Sequence, residues 1–158
     1  NCCQAALLPF AEEQGLDHED ICRLAAQFGA GMRRGSVCGA ATGGLMALGL
    51  LGADEETAVE FQRRFRARAG AMDCRDLLEA AQKQGEEKKP HCDRVVALAV
   101  ALGLGMSNPL WAADGGIEAR LAALEALVRP AAPGGDLADQ WRNFWAYNGD
   151  PQMGGDGR

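Results

Sequence analysis

The segment Cys38-Gly39-Ala40-Ala41-Thr42-Gly43 holds the residue types in this chain best suited to chemistry. Ser36 reads as an N-cap, with the apolar run from Val37 to Leu51 as a buried helix behind it, which puts Cys38 in the first turn. There the free backbone N–H groups and the positive end of the helix dipole favour a thiolate or an anionic cluster. Gly39 and Gly43, one turn apart, clear the same helix face so that a neighbour can approach the backbone closely. Cys74 follows Asp73, a second N-cap candidate, and Cys92 follows Pro90, a favoured first helical residue. Three thiols thus stand at expected helix starts, and Cys2 supplies a fourth.

Six cysteines in 158 residues can mean disulfides, metal ligands or catalytic thiols. A disulfide framework belongs to much smaller secreted domains, and a chain of this length builds a core without staples, so structural disulfides rank below a ligand set. No close C-x-x-C pair exists, so any ligands must converge from distant segments. Thiol exchange is the rival chemistry, with Cys38 attacking and Cys74 or Cys92 resolving. A closed zinc site in an accessory subunit is a third reading. Cys22, beside Ile21, reads as a packed core thiol. His91 reads as a solvated loop residue next to Lys88 and Lys89, and His18 as surface. Thr42 and Ser36 complete no serine–histidine–carboxylate set, and no lysine follows the glycines as a phosphate loop requires.

The elements that must hold these thiols are helical. Residues 2–14 read as a helix kinked or started at Pro9, with Ala6, Leu7, Phe10 and Ala11 on one face. Asp17 opens a second helix carrying Ile21, Leu24, Ala25 and Phe28 at the helical period, and Gly29 to Gly35 reads as a flexible connector. Asp54 caps a helix with Ala58, Phe61 and Phe65 inward, ended by Gly70. Its arginines from Arg63 to Arg68 form a solvated face or a dock for an acidic partner. A charge-mixed loop from Gln82 to Lys89 precedes a helix from Pro90 to Leu102. No strand-like alternation occurs, so the fold is all-α: a compact bundle of short helices with a helical C-terminal extension. The 21 glycines suit close helix packing. The formal net charge of −6 argues against nucleic acid and anionic membrane surfaces, and no apolar run reaches membrane-spanning length. Beyond Gly103 the composition shifts. Ile117, Leu121, Leu124 and Val128 mark one amphipathic helix, and Trp141, Phe144 and Trp145 mark another with an apolar face.

The cysteine segments resemble a known family, one of redox-active proteins named for its C_GCAxxG_C_C pattern. Asn1-Cys2-Cys3-Gln4 is similar to the family's first block, and Phe28 to Cys38 to its glycine-rich approach. The segment Asp73 to Leu78 resembles the third block, and His91-Cys92 the fourth. The resemblance covers residues 1–104 and leaves 105–158 as a tryptophan-containing extension. It implies a four-cysteine redox domain holding an iron–sulfur cluster on Cys2, Cys38, Cys74 and Cys92, with Gly39 and Gly43 admitting the cofactor. Cys2 is preferred to Cys3 because it fills the Asn-Cys slot. Zinc or no cofactor is the alternative. The expected partner is a redox protein, a larger complex or another copy of the chain, engaged through Trp141, Phe144 and Trp145. No targeting segment is visible, so the expected compartment is the cytoplasm, or the periplasm if an export signal has been removed.

Overall fold

A computed structural model describes residues 1–107. The extension that follows, with the Trp141, Phe144 and Trp145 face, lies outside the described residues. Six α-helices and no strand occur among the described residues: α1 (Cys2–Glu13), α2 (His18–Leu24), α3 (Gly39–Leu50), α4 (Glu55–Ala69), α5 (Cys74–Lys83) and α6 (Lys88–Ser107). A short 3-10 turn, Ala26–Phe28, extends α2.

Local chemistry accounts for most helix ends. Asp17 and Asp54 cap α2 and α4 by accepting from Asp20 N at 2.9 Å and Thr57 N at 2.8 Å. Gly70 ends α4 in a left-handed conformation, φ 95°. α1 runs straight through Pro9, where a kink or start was expected. Pro9 and Ala5 lie on the exposed side, so the carbonyl that Pro9 leaves without its helical donor is on the solvent face. α6 begins at Lys88 rather than Pro90, leaving Pro90 in the first turn, where its missing N–H costs nothing.

The bundle is built around α3. Its sequence has no charged residue, and Gly39, Ala40, Ala41, Gly43, Gly44, Ala47 and Leu48 are all buried. α1 packs chiefly on α3, and α6 closes the core against α1, α3 and α4. Small residues make these approaches possible. A Cβ on Gly43 would stand 2.5 Å from the carbonyl oxygen of Cys3, one on Gly44 would enter the Phe61 ring, and one on Gly103 would stand 2.9 Å from the tip of Phe10. Phe10, Leu48, Phe61, Phe65, Leu78 and Leu102 are the large side chains sealed by this packing. Leu24, expected to face inward with Ile21, is 60% exposed, because α2 ends at that residue and only Ile21 and Ala25 reach the core. Arg63 and Arg64 both pair with Glu60 on their own helix, as a solvated face does.

Candidate functional site

The first block of the chain is a capping device. The Asn1 side chain accepts from Cys3 N at 3.0 Å and Gln4 N at 3.2 Å, while Gln4 Oε1 accepts from the Asn1 nitrogen at 2.5 Å. Asn1 Nδ2 also donates to Ala26 O at 2.9 Å and Ala25 O at 3.3 Å, and Gln4 Nε2 donates to Cys22 O at 2.7 Å. These bonds tie the start of α1 to α2 and its 3-10 turn. They fix Cys2 at the first helical position, where its sulfur lies against Gly39: a Cβ there would be 2.5 Å from Cys2 Sγ and 2.7 Å from Phe28 O.

Cys38 and Cys74 are brought together by backbone pairing that the sequence reading did not foresee. Val37 and Asp73 form an isolated antiparallel bridge, in which Cys38 N donates to Met72 O and Cys74 N to Ser36 O, both at 2.8 Å. The starts of α3 and α5 are therefore laced side by side. Ser36 is extended backbone in this lacing rather than the cap of α3. Cys38 itself is the N-cap residue, so it stands one position before the first turn expected for it. Asp73 does precede α5, though its side chain makes no capping bond.

The expected flexible connector is a tight, left-handed turn. Ser36 N donates to Gly31 O at 3.0 Å, and Ala30, Gly31, Met32, Arg33 and Gly35 all have positive φ. Three of these are not glycines, so the turn holds strained backbone next to the site. Gly31 is fixed in type by both conformation and space: a Cβ on it would collide with the Ser36 backbone and stand 2.8 Å from Cys74 Cβ. The turn packs through Ala30 on a small cluster with Cys74, Leu78, Ala81 and Cys92.

Cys2, Cys38, Cys74 and Cys92 line one pocket, floored by Ala40, Leu77, Leu78 and Val95 and flanked by His91, with about 280 Å³ of empty space including its mouth. Each thiol comes from a different helix. Three stand at the helix start, and Cys92 lies one turn into α6. Gly39 and Gly43 do not line this pocket. The neighbour they admit is α1, through Cys2 Sγ and the Cys3 carbonyl. Cys3 is fully buried, with its sulfur 3.8 Å from Met46 Sδ. Cys22 is only half-buried and joins neither the core nor the pocket, unlike the packed thiol expected.

Burial raises Cys38, Cys74 and Cys92. Cys38 is pushed up to about 11 by desolvation, against which the Ala40 and Ala41 amides pull down, and the neighbouring Cys2 adds to the rise. Cys92 is pushed up to about 12 by burial and then by Cys2 and Cys38, with Lys88 opposing. Cys74 rises further still, from burial and from Cys38, Cys92 and Cys2. Cys2, Cys38 and Cys92 each act on a neighbouring thiol, as groups sharing one pocket do.

His91 is not the solvated loop residue expected from its lysine neighbours. It lies inside the first turns of α6 with 12% of its side chain exposed. Its Nδ1 is 3.2 Å from Glu86 Oε2, and Glu86 also pairs with Arg94. Burial lowers the His91 pKa, and Glu86 opposes that shift. His91 Nε2 is buried and has no hydrogen-bond partner. A donor-bearing side chain four residues before a buried valine was the available sequence signal, since that spacing places both on one helix face.

Among the described residues no three His, Cys, Asp or Glu side chains converge closely enough to hold a single metal ion. No helix among them is long and apolar enough to cross a membrane.

The described residues form a helical domain with one pocket lined by four thiols, three of them at helix starts. Residues 1–104 match the family described as Putative redox-active protein (C_GCAxxG_C_C), and the chain is a member of that family. Neither the curated proteins nor the solved structures contain a match to it.

Proposed function

We propose that this protein is an iron–sulfur electron carrier or redox subunit whose cluster is held by Cys2, Cys38, Cys74 and Cys92. The observation that carries the reading is the lining of one pocket by these four thiols from four helices. Four thiolates are the donor set that such a cluster takes. When bound, it would supply one-electron redox chemistry.

The protein's own part is to hold the thiolates. The α3 start offers the Ala40 and Ala41 amides to Cys38, and Lys88 adds positive charge near Cys74 and Cys92. Cationic iron would hold the thiols as thiolates, including Cys38, Cys74 and Cys92, whose burial favours the protonated form. Thiol exchange through Cys38 is less well supported, because a thiol near 11 is mostly protonated at neutral pH and a weak nucleophile. The expected electron partner is another redox protein or a second copy, engaged through the Trp141, Phe144 and Trp145 face.

The test is serine substitution under anaerobic conditions. Cys38→Ser should lose most bound iron, and Cys22→Ser should retain it. Alkylation should spare the four pocket thiols until a chelator is added. Equal iron loss in both variants, or rapid labelling of Cys38 with a reversible Cys38–Cys74 disulfide, would overturn the reading.

A further inference from the structure

We propose that His91 Nε2 is a fifth donor of the cysteine pocket and ligates the metal centre held there, a role that rests on the pocket binding metal. The ring lines the same pocket as the four thiols. Its two nitrogens are in opposite situations. Nδ1 faces the Glu86 carboxylate at 3.2 Å, and Arg94 holds that carboxylate from another side. A carboxylate accepts and does not donate, so the ring proton belongs on Nδ1 and the lone pair on Nε2. Nε2 lies on the other edge of the ring, sealed from solvent and without any protein partner. A buried acceptor with nothing to accept is costly, and in a thiol-lined pocket a metal ion removes that cost.

The chain of groups Arg94, Glu86, His91 has the form that orients ligating histidines elsewhere: a carboxylate fixes the tautomer and turns the free nitrogen toward the metal. Glu86 lies in the turn between α5 and α6, and His91 and Arg94 lie on α6. All three are set by the helix that also carries Cys92. Coordination by the bare nitrogen releases no proton. Five donors around one pocket mark a centre that differs from the regular all-cysteine cluster.

The chain has two histidines, which makes the test direct. His18 is exposed and 2.9 Å from Glu12, away from the pocket. Protein labelled with ¹⁵N-histidine is loaded anaerobically with ferrous iron and sulfide, reduced, and read by pulsed electron paramagnetic resonance. If a cluster forms, the resonance decides. A histidine nitrogen coupling that persists in His18→Ala and disappears in His91→Ala or His91→Gln establishes the ligand. A cluster with no histidine coupling overturns the proposal and leaves the cluster reading intact. If no cluster forms, the cluster reading fails and the ligand role of His91 fails with it.

Discussion

Gly39 is where the chemistry and the packing of this protein meet in one residue. It has no role as a lining residue, yet a methyl group on it would press into Cys2 Sγ, Phe28 O and the start of α1. Gly39→Ala should therefore destabilise the protein by about 1–3 kcal/mol and move Cys2 out of register with the other thiols. Chemical denaturation and iron retention measured on the same variant check this, and iron loss without lost stability would show that the glycine serves the site alone. The thiols make a second prediction at this scale. Cys38, Cys74 and Cys92 have folded pKa values above their ordinary value of 9.0. Below pH 9 both folded and unfolded thiols are protonated, and the metal-free protein keeps its full stability. Above pH 9 the unfolded chain ionises first, so stability falls as pH rises through about 11 to 12. Denaturation midpoints of metal-free protein from pH 7 to 10 should decline toward the alkaline end.

At the scale of elements, the turn from Gly31 to Gly35 and the Val37–Asp73 bridge do the positioning. Gly31→Ala adds a left-handed non-glycine and a clash with Ser36 and Cys74, an expected loss of about 1–3 kcal/mol together with faster alkylation of Cys74 in metal-free protein. Unchanged Cys74 labelling would show that the turn does not hold that helix start in place. Much of the helix pattern was legible because its causes are local. Asp17, Asp54 and Gly70 stand at ends that their own chemistry fixes. The lacing of Cys38 to Cys74 was not legible. It joins residues 36 apart through backbone atoms, which carry no side-chain signature. Asn1 and Gln4 were seen as part of a motif, and the structure supplies their physical reason as a capping box. His91 was misread because neighbouring lysines suggested solvent, whereas α6 begins early enough to turn the ring inward. The glycines were rightly read as a surface for close approach, but the approaching body at Gly43 is helix α1.

At the scale of the whole molecule, α1, α3, α4 and α6 pack on one another within residues 1–107. Phe10 closes on Gly103, and Phe61 on Gly44. A chain ending at Ser107 should accordingly fold cooperatively and bind the same cofactor as the full chain, with circular dichroism and iron content as the readouts. Phe61→Ala should cost about 3–5 kcal/mol, since that ring is fully buried against α3, and thermal denaturation of the loaded protein would register it. The central claim is that four helices bring Cys2, Cys38, Cys74 and Cys92 together to hold one iron–sulfur cluster. The most direct measurement is iron and acid-labile sulfide per chain in protein purified without oxygen, with its visible spectrum. The account predicts a brown protein with iron and sulfide in equal amounts, both lost together when any one of the four cysteines becomes serine. A colourless protein without iron or sulfide, whose pocket thiols titrate freely once unfolded, would contradict it.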